Sequence, residues 1–187
     1  MQIPIIISLV LSATTLPSIS PTTQQELFQQ SNSISFFKSK RTLKNIYLQS
    51  NKNRTFYCSC SFDTNKQIDH DSCNYSPRIK SNKRSHRLEF EHIVPAHALG
   101  KNLQCWKKPI CEKRNGKKYK GRKCCSKISD EYKQMQSDMH NLFPAVGEVN
   151  GDRSNFIFGE IYGEERKYGQ CDFEVAERIA EPKKSIR

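Results

Sequence analysis

Residues 137–155 read S-D-M-H-N-L-F-P-A-V-G-E-V-N-G-D-R-S-N. The apolar run Leu142 to Val146 has the length of a short strand, and Gly147 follows where the chain must turn. Glu148 to Arg153 is polar and reads as a helical turn. Asp138, His140, Asn141, Glu148, Asn150, Asp152, Arg153 and Asn155 crowd around that one apolar run. Many Asn and Asp side chains serve turns and caps. A strand running into a helix that bears an amide oxygen can also complete a metal site begun on an earlier strand.

The earlier strand is found at Arg87 to Val94, ended by Pro95 and containing Glu89-Phe-Glu-His-Ile-Val-Pro95. Glu91 and His92 stand together at the end of an apolar stretch, where neither is a natural core residue. A carboxylate is a hard oxygen ligand for Mg²⁺ or Ca²⁺, and an imidazole titrating near neutrality can take a proton from water. Neighbours on a regular strand point to opposite faces, so both serve one site only at a strand end or bulge. Strand, strand and helix around one cation is the expectation.

Outward from this centre, Ser35 to Leu48 reads as an amphipathic helix, with Phe36, Phe37, Leu43, Ile46 and Tyr47 at near-helical spacing. Thr55 to Phe62 reads as a strand carrying Cys58 and Cys60. Residues 100–127 have little periodicity and four cysteines, and read as a long loop pinned by disulfides. Ser129 to Met139 reads as a helix capped by Ser129, Phe156 to Phe158 as strand-like, and Phe173 to Ala180 as a final helix. The fold class expected is α+β.

The chain has 187 residues, 35% of them hydrophobic, and 8 each of Gly and Pro, without sustained heptads, which excludes collagen, coiled coil and polytopic membrane protein. Residues 1–20 carry no charge and contain a short apolar run, too short for a bilayer span but suited to a signal peptide. Residues 21–34 are expected to be a mobile lead-in and 35–187 the folded domain. The 8 cysteines, with a signal peptide, favour disulfides over zinc thiolates, because spaced C-x-x-C knuckles are absent. Their connectivity stays open among about 105 pairings.

The net charge of +12 is uneven: residues 1–129 hold 23 basic and 7 acidic residues, residues 130–187 hold 8 basic and 12 acidic. Lys101 to Lys127 carries eleven Lys/Arg against Glu112 alone, and Arg78 to Arg87 carries five basic residues and no acid. A polyanion is the expected partner. Charge does not separate nucleic acid from anionic lipid or cell-wall polymer.

E-F-E-H-I-V-P-A at 89–96, the 137–155 stretch and Y-G-Q-C at 168–171 resemble the secreted and periplasmic bacterial endonuclease I family. Y-C-S-C at 57–60 and G-R-K-C at 121–124 are also similar to its pattern. The resemblance, from about Phe36 to Pro182, implies a ββα-metal (His-Me finger) nuclease fold. It also implies a divalent cation (Mg²⁺, or another such as Ca²⁺ or Mn²⁺) and a nonspecific monomeric nuclease on DNA and often RNA, leaving 5′-phosphate ends. By position, His92 matches the general base, Glu91 and Asn150 the metal ligands, and Arg122 an arginine contacting the cleaved phosphate. Gln136 stands where some relatives carry a glutamate, which raises the alternative of a catalytically impaired nucleic-acid-binding member. Cys111 and one of Cys124 and Cys125 look additional to the family's set. Relatives continue with further helices and a C-terminal cysteine pair, so the resemblance implies a C-terminally truncated chain, secreted or periplasmic, with no membrane attachment after signal cleavage.

Overall fold

Ser35 starts the first helix: its hydroxyl accepts from the Lys38 N–H at 3.3 Å. The computed structural model describes residues 34–163 and 165–186. The signal-peptide reading and nearly all of the lead-in therefore lie outside the described residues. Helix α1 spans Phe36–Gln49, and the next elements are β1 Ser61–Phe62, β2 Ile68–Asp69 and β3 Leu88–His92. Then come α2 Ala96–Gly100, α3 Gln104–Lys107, β4 Cys111–Glu112, β5 Lys118–Tyr119, α4 Arg122–Ile128 and α5 Asp130–Ser137. The order closes with β6 Leu142–Val146, α6 Gly147–Arg153, β7 Ile157–Phe158, β8 Phe173–Ala176 and β9 Ile179–Pro182. The chain is α+β, and no described helix is long and apolar enough to cross a membrane.

The centre of the molecule follows the motif reading. Strands β3 and β6 pair antiparallel, with Leu88 opposite Val146 and His92 opposite Leu142. Helix α6 starts directly after β6 and packs back over β3. Gly147 allows that close start: a Cβ there would lie 2.6 Å from the Arg84 carbonyl oxygen. One core lies beneath, built from Leu43 of α1, Tyr57, Phe62, Leu88, Phe90, Leu142, Val146, Val149, Tyr168 and Phe173.

Three expectations are corrected. Of Thr55 to Phe62 only Ser61–Phe62 is strand. Residues 55–60 close a tight turn, in which the Thr55 N–H donates to the Cys60 carbonyl at 2.8 Å and Ser59 takes a positive φ of 60°. That turn sends Cys58 to Cys171 and Cys60 to Cys73.

Residues 100–127 are more than a pinned loop. They form α3, the β4–β5 hairpin and α4 around a second small core of Cys105, Cys111, Cys124, Cys125 and Tyr132, with Trp106 packed against it. Elements of two to seven residues are too short to show a period. Disulfides Cys105–Cys125 and Cys111–Cys124 hold them together. All eight cysteines are paired, so the disulfide reading holds over zinc.

The helix expected at Phe173 to Ala180 is instead the β8–β9 hairpin, with β7 parallel on the other side of β9. Its turn residues, Glu177 and Arg178, both have positive φ. Such turns are usually signalled by Asn or Gly, so the sequence carries no cue. The apolar spacing of Phe173, Val175, Ile179 and Ala180 fits a helix almost as well as paired strands.

Candidate active site

Strand β3 ends in the two residues of greatest chemical interest. Glu91 is 3% and His92 5% exposed. As expected of neighbours on a strand, they face different supports. Glu91 Oε1 accepts from the Tyr57 hydroxyl at 2.9 Å and pairs with the buried Arg153 guanidinium at 3.0 Å, leaving Oε2 unused by either. Arg153 in turn donates to the carbonyls of His92, at 2.9 Å, and Ile93, at 2.7 Å, and so fixes the strand end from α6. Burial pushes the Glu91 carboxyl up to about 7, against the pull of Arg153 and Tyr57.

His92 looks toward α1 and α5. Its Nε2 lies 2.9 Å from the Gln136 carbonyl. A carbonyl only accepts, so Nε2 carries the proton and Nδ1 keeps its lone pair. The ring packs on Phe36, centroid to centroid 5.2 Å. Burial lowers the imidazole to about 4; the Gln136 carbonyl opposes this, while Arg122, Lys40 and Arg153 add to it. His92 is therefore neutral at neutral pH, with Nδ1 ready to accept a proton.

Asn150 projects from the middle of α6, and its Nδ2 donates to Glu89 Oε2 at 2.8 Å. Glu89 is itself gripped by Arg84 at 2.6 and 3.0 Å and by Arg87 at 2.6 and 2.9 Å. Burial works against its charge, but these hydrogen bonds outweigh it and hold the carboxyl below the usual range. An ionised carboxylate accepts only, so the Asn150 amide must turn its NH₂ toward Glu89 and its Oδ1 away.

Arg122 is the first residue of α4, and its guanidinium stands 5.3 Å over the Phe36 ring. The Lys40 ammonium lies 4.3 Å from the same ring.

All four residues singled out in the sequence, His92, Glu91, Asn150 and Arg122, line one cavity of about 390 Å³. An adjoining cleft of about 870 Å³ shares Glu89, Phe90, Arg122 and Asn150 with it, and adds Lys40, Lys66, Arg87 and Lys123.

The endonuclease I family model matches residues 18–187. The chain belongs to the endonuclease I family. It is 45% identical over 137 residues to an extracellular deoxyribonuclease of Aeromonas hydrophila, covering 71% of this chain and 55% of that protein. A periplasmic deoxyribonuclease of the same organism is 44% identical over 139 residues, 71% of this chain and 53% of its own length. Endonuclease-1 of Buchnera aphidicola subsp. Acyrthosiphon pisum (strain APS) is 38% identical over 173 residues, 86% and 64% of the two chains. The chain thus spans between 53% and 64% of the length of these relatives.

Within this endonuclease I chain, the structure adds supports that motif reading did not assign. Glu89 orients Asn150, Arg153 holds Glu91 and the strand end, and Phe36 backs His92 and Arg122. Glu89 and Arg153 stand inside the quoted motifs, so their types were visible while their partners were not. Phe36 lies 56 residues upstream of His92 and has no local signal at all. The second basic stretch also changes meaning: Arg78 pairs with Asp152, and Arg84 and Arg87 share Glu89, so three of its five cations have an internal partner and two carboxylates offset part of their charge.

Proposed function

We propose that this chain is a secreted or periplasmic endonuclease that hydrolyses phosphodiester bonds of DNA, and of RNA, with a divalent cation, leaving 5′-phosphate ends. The observation that carries the reading is the geometry of β3, β6 and α6. His92, whose Nδ1 keeps its lone pair, Glu91, and Asn150, whose Oδ1 is turned away from Glu89, all line one cavity, and this supports the reading. This arrangement supports a ββα-metal (His-Me finger) core. The names of the relatives, extracellular and periplasmic deoxyribonuclease and endonuclease-1, support the substrate and the compartment.

The donor set fits a hard cation. Glu91 has an oxygen that Tyr57 and Arg153 do not take, and Asn150 has its Oδ1 turned away from Glu89. Among the described residues there is no cluster of three or more His, Cys, Asp and Glu side chains suited to a metal. A cation held by Glu91 and Asn150 would keep several waters, the habit of Mg²⁺. Bound there, it would polarise the phosphate and offset charge on the leaving 3′ oxygen. His92 Nδ1 takes the proton of the attacking water, and Nε2–H stays fixed on Gln136. Arg122 offsets charge that builds on the phosphate oxygens. Lys40, Lys66 and Lys123 along the cleft hold the backbone rather than the bases, which gives little sequence preference.

The impaired-member alternative drew on Gln136. Its main-chain carbonyl orients His92, and its side chain accepts from Ser126 at 3.1 Å, so the Glu-to-Gln difference does not remove the contact to His92. The test is nicking of supercoiled plasmid with Mg²⁺, with EDTA, and with His92→Ala. EDTA should abolish nicking, and the substitution should slow it by about 10²–10⁴-fold, the usual worth of a positioned base. Undiminished turnover in either arm overturns the reading.

A further inference from the structure

The eleven Lys and Arg side chains from Lys101 to Lys127 are all exposed. None of them forms an ion pair or a side-chain hydrogen bond among the described residues. Unlike the cations at Arg78, Arg84 and Arg87, these are left for a partner.

Several of them ride on a rigid mount. In the β4–β5 hairpin Cys111 faces Tyr119 and Glu112 faces Lys118. The turn between is closed by Gly116 N–H donating to the Lys113 carbonyl and Lys113 N–H donating to the Lys117 carbonyl, both at 3.0 Å. Gly116 has φ +76°, the left-handed conformation such a loop needs. At the base, Cys111 is bonded to Cys124, Cys105 to Cys125, and Gly121 N–H donates to the Cys105 carbonyl at 2.9 Å. A merely solvated cationic face needs no such bracing. Here like charges are held together against their own repulsion.

The mount also joins the cleft. Helix α4 carries Arg122 and Lys123, which line the large cavity, and Cys124, to which the hairpin is bonded. From Cys111 to the turn at Arg114 the hairpin advances about 10 Å at roughly 3.3 Å per residue. Laid along a duplex at about 3.4 Å per step, that is about three base pairs.

We propose that the hairpin Cys111–Tyr119 is a second duplex contact. Lys113, Arg114, Lys117 and Lys118 grip phosphates up to about three base pairs beyond the hairpin's disulfide-bonded base, which adjoins Arg122, so the protein favours long substrates over short ones. The proposal rests on the nuclease reading for its substrate class, but its test does not depend on cleavage.

The test compares the full chain with the Lys113→Gln/Arg114→Gln/Lys117→Gln/Lys118→Gln variant. Fluorescence anisotropy in EDTA would follow duplexes of about 6 and about 24 base pairs at several salt concentrations. For the longer duplex, affinity should fall by about tenfold or more, and the log–log salt slope by about 2–4, near 0.9 for each phosphate no longer neutralised. The short duplex should shift by less than about threefold, so the length preference disappears. The paired variants Lys113→Gln/Arg114→Gln and Lys117→Gln/Lys118→Gln should each remove part of the slope. Intact mass and a thermal melt check that each variant keeps its four disulfides and its fold. Equal weakening for both lengths, or none for either, overturns the proposal. So does lost binding to phosphatidylglycerol vesicles with DNA affinity unchanged, which would assign the hairpin to an anionic membrane surface. Failure of plasmid nicking would sink the nuclease reading and leave this binding comparison intact.

Discussion

Phe36 shows how one side chain can serve three charged or basic groups at once. Its ring touches the His92 imidazole and lies under the Arg122 guanidinium and beside the Lys40 ammonium. Phe36→Ala would leave the imidazole free to turn about its one bond to Gln136 and would release Arg122. Misplacement of reacting groups by about 1 Å can cost about 10²-fold, so kcat should fall roughly 10–100-fold while KM changes little. Phe36→Tyr keeps the ring and should restore kcat to within about threefold. A general loss of folded protein would also lower apparent kcat with KM unchanged, so circular dichroism and a thermal melt of the same preparation must show that the variant is folded before its kinetics on a labelled duplex are compared. At Gln136 the opposite holds, because the useful atom is the main-chain carbonyl. Gln136→Glu should stay within about threefold of the parent rate, since the hydrogen bond to His92 persists. A tenfold rise would show that a carboxylate at this position takes part directly.

At the level of elements, α6 is anchored by a buried acid as well as by apolar contact. Glu148 is 1% exposed and accepts from the Tyr75 hydroxyl at 2.5 Å, Arg78 N–H at 3.2 Å, Ile79 N–H at 3.1 Å and Asn82 Nδ2 at 3.0 Å. It thereby clamps the irregular 75–82 segment onto the helix that carries Asn150. Glu148→Ala strands four donors. It should cost about 3 kcal/mol or more, lowering the thermal midpoint by roughly 6–12 °C in a scanning melt. The elements legible in the sequence were those with a cap, a motif or a sustained period: α1 behind Ser35, α5 behind Ser129, and β3, β6 and α6 in the two motifs. The candidate residues Glu91, His92 and Asn150 could be named for the same reason, as they sit inside those motifs, whereas Arg122 came only from the resemblance at G-R-K-C, 121–124. What escaped was held by long-range partners. The hairpin at Phe173–Pro182 is fixed by its pairing with β7, and the 100–127 segment by two disulfides and Tyr132.

Across the whole molecule, the site straddles two cores. His92, Glu91 and Asn150 are carried by the β3–β6–α6 unit over the larger core. Arg122 and the Gln136 carbonyl come from α4 and α5, which enclose the small core of four cysteines and Tyr132. Each native bridge in a small domain is worth about 2–5 kcal/mol, and a core this size has little else to hold it. Mild reduction should therefore open residues 100–137 first, abolishing nicking while most of the far-ultraviolet circular dichroism of the larger core remains. Reoxidation should bring activity back. Parallel loss of both signals would mean that the two cores unfold together.

Carrying Arg122 and the Gln136 carbonyl on helices braced by two disulfides ties the candidate site to the redox state of its surroundings. On the proposed nuclease reading, a chain kept reduced would lack the covalent hold on the arginine and on the imidazole's anchor. Oxidation would then be the step that finishes the site, and the chemistry of the compartment would switch the enzyme on.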